Sequence, residues 1–376
     1  MSSVCLPGSG GDGADVARSL SALECWRRVR GAAQPELDPD GRRYVRTVLD
    51  LCESAGPFGQ AALFDPLPAA MDAPRTASFD DGTADSRDPA RRALAAGRYC
   101  IGSGVLGDFT LALPPSAGGG GPVYFPALNA LARPGPAVVV SRNGTTRVTW
   151  GDGSVMTAPN GRQLPACEYA HVRALPAVHG IPVLNEVPEV AAACEPFDLC
   201  PEEETRAAAE RIRDGFELLE SVWPQAYGSV LRHAKGLVVL RKRPYSRSHS
   251  PERLQGAVLL TPEDAVVVAD LLTHEVSHIR LNLMREFDPL WEDTQPGKLH
   301  SSPWRQDPRP LKGLVLGVHA FLNVCHFYRR VEGGEGVFER QRSKVRQGWE
   351  TARPLLKPTP LGREFIEELE REVRAL

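Results

Sequence analysis

The stretch LLTHEVSHIRLNLM, residues 271–284, decides how the rest of the chain is read. It places His274, Glu275 and His278 in the order H-E-x-x-H inside a run that is apolar on almost every side, the mark of a buried helix. Just before it, Thr261-Pro262-Glu263-Asp264 reads as a helix start. Thr can cap, Pro is tolerated at the first helical position, and acidic groups complement the dipole. Histidines four apart on a helix lie about 40° apart around the axis and about 6 Å along it, close enough to share one ion. Glu275, about 100° round from His274, can reach water bound to that ion. Asp270, one turn earlier, is expected to accept the imidazole N–H of His274 that faces away from the metal. Unpaired polar groups are costly in such an oily helix, so two imidazoles and a carboxylate there point to metal binding.

A third ligand is needed, and the familiar peptidase spacing fails. The extended motif H-E-x-x-H-x-x-G-x-x-H would require Gly and His where the chain has Leu281 and Met284. The next long apolar segment, PLKGLVLGVHAFLNVCHFYRR at residues 310–330, offers His319 and His326 on one helical stripe and no glutamate. His319 is favoured as the third ligand, ahead of His326 and His300.

The bulk properties set the frame. The 376 residues are 42% hydrophobic and 24% charged, which suits one or two globular domains with a sizeable core. A net charge of -3 argues against a nucleic-acid binder, and the first residues carry no secretory signal pattern. No stretch approaches 18 uninterrupted apolar residues, so no membrane span and a cytoplasmic location are expected. The eight cysteines are scattered with no C-x-x-C pair, as in reduced thiols.

Outward from the histidine helix, residues 13–32 and 42–53 carry helical apolar rhythm, and residues 77–91 are polar and turn-rich. GSGVLG at residues 102–107 matches G-x-G-x-x-G, but two prolines and no helical start follow, so it does not read as a nucleotide site. AVVVSRNGTTRVTW at residues 137–150 predicts a hairpin turning on Asn143-Gly144. Helical pattern runs from Pro201 to about His233. The apolar runs 236–240 and 256–260 predict strands around RKRPYSRSHSPER, residues 241–253, which reads as a solvated basic loop or one that docks an acidic peptide or a small carboxylate. Helices are also expected at about 336–356 and 360–375. The predicted class is α+β, a mainly helical catalytic body with a small antiparallel β-rich section. Its parts are an N-terminal helical region at 1–120, the β-rich section at 121–196 and a metal-binding catalytic domain at 197–376.

Taken together, THEVSH, then SPWRQDPRPLKG at residues 302–313, then GVHAF at residues 317–321 resemble the HExxH-type 2-oxoglutarate-dependent peptide β-hydroxylases of ribosomal peptide natural-product pathways. The resemblance covers roughly residues 261–330, and residues 1–200 align to nothing. It implies an Fe(II)/2-oxoglutarate-dependent hydroxylase acting on the β-carbon of a residue in a ribosomally made peptide, with or without a leader segment. Three neutral imidazoles from His274, His278 and His319 would leave three open octahedral positions, two for the keto acid and one for O₂. This departs from the usual two-histidine, one-carboxylate triad. The far carboxylate of 2-oxoglutarate would need a guanidinium clamp, for which Arg309 and Arg305 are the candidates. Each could instead pair with Asp307. The alternative is an HExxH zinc metallopeptidase, with Zn(II) and with Glu275 taking a proton from metal-bound water. A binding module that recognises a leader or carrier peptide is the reading from a different class.

Overall fold

The computed structural model describes residues 46, 47, 50, 108–113, 123–133, 135–160, 168, 169, 172–187, 190, 194, 197–254 and 256–376. Of the segments expected to be helical near the N-terminus, residues 46, 47 and 50 are helical and the rest lie outside the described residues, as do residues 77–91 and 102–107. The described residues form an α+β fold with six α-helices and several small, mostly antiparallel sheets.

Two four-stranded sheets form here, and the first begins at Phe109, inside the stretch expected to be N-terminal and helical. The first is β1 (Phe109–Leu113), β2 (Ala137–Arg142), β3 (Thr145–Trp150) and β4 (Val155–Pro159), in that order and antiparallel throughout. Its β2–β3 turn is the predicted one: Asn143 and Gly144 take φ of 51° and 72°, the positive values that a two-residue turn of this type demands. The second sheet is built from Val123–Phe125, Ala130–Ala132, Val172–Ala174 and Glu168–Tyr169.

The helical body begins with α1 (Glu202–Val222) and α2 (Pro224–His233). Sequence pattern suggested one helix here. It breaks at Trp223, whose φ of -150° and ψ of 75° lie outside the helical region, because the ring of Pro224 disfavours helical backbone in the residue before it. A three-stranded sheet follows in the order β5 (Gly236–Val239), β7 (Ala257–Leu260), β6 (Ser248–His249). The first two are parallel and buried at every residue, which is why both read as unbroken apolar runs. The third, β6, lies antiparallel on β7, with His249 opposite Leu259. It forms out of the basic stretch that had read as a loop.

From β7 the chain passes into α3 (Ala265–Phe287), the H-E-x-x-H helix. The cap is Asp264, whose carboxylate accepts the Val267 N–H at 3.0 Å, and not Thr261. The Thr261 hydroxyl instead accepts the Arg247 N–H at 3.1 Å, fastening the approach to β6 to the foot of the helix.

Helix α4 (Leu311–Tyr328) packs between α3 and α5 (Glu335–Ala352), and α6 (Pro360–Ala375) closes the body. Although α4 is long and apolar enough to cross a membrane, it is the central helix of the core, with Leu314, Val315, Val318 and Leu322 fully buried.

Ahead of α4 lies a hairpin of β8 (Leu299–Ser302) and β9 (Arg305–Pro310). Trp304 at its tip wedges between α4 and α5. A Cβ on Gly317 would come within 3.0 Å of its ring and one on Gly348 within 2.8 Å, so only residues without side chains leave the slot open. The Trp304 indole N–H donates to the Gln341 side chain at 3.2 Å.

Candidate metal centre

The Nε2 atoms of His274 and His278 are 3.0 Å apart, and the two rings meet edge to face with centroids 4.6 Å apart. Two nitrogens each bound at about 2.1 Å to one ion would be separated by about 3.0 to 3.4 Å for angles of about 90° to 110°, so the pair is spaced as metal ligands are. Without an ion, one ring donates to the other at this distance. Burial pushes the His274 imidazolium down to about 4 and that of His278 down to about 3. Both rings are therefore neutral near pH 7, the form whose lone pair can ligate. The Nδ1 of His278 is buried with no hydrogen-bond partner.

Glu275 is buried, and its Oε2 accepts the Ser250 hydroxyl at 2.6 Å. That bond ties α3 to the end of β6 and brings His249 into the same neighbourhood. Burial lowers the His249 pKa, Glu275 works against that shift and Arg305 adds to it. His249 in turn helps hold His278 neutral, after the larger effects of burial and His274. The His249 ring stacks on Phe197 with centroids 5.1 Å apart. Sequence reasoning missed this residue because it sits in a polar, basic stretch with no apolar period to mark it.

His319 is not brought to the pair. Its ring faces Phe365 of α6, with centroids 5.9 Å apart, while the α4 residue against His274 is Phe321 at 4.6 Å. Residues two apart on a helix are rotated about 200°, so Phe321 and His319 look in opposite directions. His326 shares the outward stripe: it lies 6.2 Å from Trp223 and 3.5 Å from a Glu372 oxygen. His300 is buried in β8 opposite Arg309, with its Nε2 unpartnered. Among the described residues no three His, Cys, Asp or Glu side chains converge closely enough to enclose an ion. The expected trio of His274, His278 and His319 is therefore reduced to a pair.

The two candidate arginines both sit on β9. Arg309 Nε is 3.0 Å from one Asp307 oxygen and Arg305 Nε is 3.8 Å from the other, the ion pairs that the sequence allowed as their alternative role. Trp304 connects this hairpin to the centre: its ring stacks on Phe321 at 4.8 Å, nearly parallel at 6°, and Phe321 in turn covers His274. Asp270 does not serve His274 as expected; its Oδ2 accepts the Tyr328 hydroxyl at 3.0 Å, and burial raises its pKa to about 6. No family model matches the chain, and no curated protein matches it.

Proposed function

We propose that the protein is a 2-oxoglutarate-dependent non-haem iron hydroxylase that oxidises the β-carbon of a residue in a ribosomally made peptide. The observation that carries this reading is the half-buried, neutral His274–His278 pair with its Nε2 atoms 3.0 Å apart, linked through Phe321 and Trp304 to a hairpin that bears two guanidinium groups. The donor set suits a divalent cation, though it supplies two imidazoles and not three. Iron with the keto acid, when bound, would supply the oxidising power for hydrogen removal and hydroxyl return.

His274 and His278 would hold the ion by Nε2. Arg305 or Arg309 would grip the far carboxylate of 2-oxoglutarate with its planar fork, exchanging Asp307 for the ligand. Phe321 packs against the His274 ring, and Trp304 backs Phe321 from the hairpin. Glu275, held through Oε2 by Ser250, keeps α3 in register with β6. In the zinc peptidase reading Glu275 would use its other oxygen, Oε1, on metal-bound water. The sequence of α4 lacks any carboxylate to serve as a third ligand.

The test is anaerobic loading with Fe(II), then addition of 2-oxoglutarate, O₂ and a ribosomal precursor peptide. Succinate together with a peptide heavier by one oxygen is expected, and both should vanish in His274→Ala. No succinate under these conditions overturns the reading, and peptide cleavage with Zn(II) alone replaces it with the peptidase.

A further inference from the structure

The His274–His278 pair is two donors short of the smallest closed coordination shell, and one more protein ligand would bring it to the three that open catalytic sites usually present. The chain has nine histidines. His171 lies outside the described residues. His179 stacks on Phe216 at 5.2 Å, His300 sits in the β8–β9 hairpin, and His319 and His326 face α6. His233 ends α2, fully buried. That leaves His249. It is the last residue of β6, and the side chain next to it, Ser250, reaches Glu275 within the H-E-x-x-H motif itself.

We propose that His249 is the third protein ligand of an ion held by His274 and His278. This deepens the reading above and rests on its metal, though not on its oxidation chemistry. The strand order supports it: β6 is an edge strand whose one neighbour is β7, and β7 runs directly into α3, so sheet and helix are fixed relative to each other across a short connection. Two tethers hold β6 in place, Arg247 N–H to the Thr261 hydroxyl at 3.1 Å and the Ser250 hydroxyl to Glu275 at 2.6 Å, one on each side of His249. Electrostatics agree, since Glu275 acts on His249 and His249 in turn acts on His278. Ligation requires the ring to leave its stack on Phe197 and turn toward the pair while the two tethers hold the backbone. The resulting site takes two imidazoles from one helix and one from an adjacent strand.

The experiment is titration of the metal-free full chain with Co(II), followed by visible absorption, and pulsed EPR of the Cu(II)-loaded protein to count coordinated imidazole nitrogens. His249→Phe keeps an aromatic ring for Phe197 but removes the donor; His319→Leu and His300→Leu are the controls. Three coordinated imidazoles are expected in the unaltered chain and two in His249→Phe. Co(II) affinity in that variant should fall by more than the roughly 10- to 100-fold that loss of an outer-shell partner costs. Both controls should bind as the unaltered chain does. An unchanged nitrogen count in His249→Phe, a loss that follows His319 or His300 instead, or no Co(II) binding by the unaltered chain overturns the assignment. Circular dichroism and melting of each metal-free variant separate ligand loss from misfolding. Because the titration uses neither O₂ nor 2-oxoglutarate, it can fail while succinate is still formed, and it can succeed when none is.

Discussion

Helices α3 and α4 are neighbours of similar apolar character, and each carries two histidines on a common stripe, yet their imidazoles meet opposite fates. On α3 the stripe opens on a polar neighbourhood that includes Ser250, His249 and Arg305, and the two Nε2 atoms come to 3.0 Å. On α4 the stripe turns outward to Phe365, Trp223 and Glu372, so His319 and His326 fill the seam with α6 and α2. A histidine becomes a ligand candidate through what its face meets, and the helical period is silent about that.

The contrast breaks most decisively on metal affinity. His274→Ala or His278→Ala should weaken Co(II) binding by about 4 kcal/mol, on the order of a thousandfold, as expected when one of a few ligands is lost from a site worth roughly 12 kcal/mol. His319→Leu should leave binding untouched and register in the melting temperature alone, measured side by side in the same titration. If His319→Leu releases the metal, the two helices are not distinct in role.

The next effect is in packing. Trp304→Leu empties the slot beside Gly317 and Gly348 and should cost about 3 kcal/mol in denaturant unfolding, while weakening 2-oxoglutarate binding through the displaced Arg305 and Arg309. Full retention of cosubstrate affinity would separate the hairpin from the centre.

Proton linkage sharpens the comparison further. The folded-state values of His274 and His278, about 4 and about 3, lie below the ordinary histidine value, so the folded chain binds fewer protons than the unfolded chain. Their contribution is present above about pH 6.5 and is lost as pH falls toward 4. Asp270, raised to about 6, works in the other direction: it opposes folding when ionised and stops doing so as pH drops through 6 toward 4. Asp270→Asn keeps an acceptor for Tyr328 and should stabilise the protein by about 2 kcal/mol at pH 8, with the gain fading by pH 4 in a series of thermal melts. Smallest is Ser250→Ala, which removes one buried hydrogen bond to Glu275 and should cost about 1 to 2 kcal/mol at neutral pH by chemical unfolding.

Much of the frame was legible in the residues. The β2–β3 hairpin declared itself through Asn143-Gly144, α3 through its apolar run, and α6 through Pro360 at its first position. Periodicity also placed His319 and His326 correctly on one buried stripe. It failed at the next step, because α6, not α3, covers that stripe, and which neighbour does so is set by tertiary packing. The β8–β9 hairpin was hidden by its composition: Arg305, Asp307, Pro308, Arg309 and Pro310 lack strand propensity, and the segment is held by the Trp304 anchor. His249 was obscured for a related reason, since a two-residue strand in a basic stretch has no period to detect.

The slot around Trp304 sets what can be moved between proteins. An engineer who grafts the Arg305–Arg309 segment onto another scaffold would transplant charge without position, because the anchor needs one glycine from α4 and another from α5. The transferable module is hairpin, Gly317 and Gly348 together, and two ordinary alanines would be enough to disarm it.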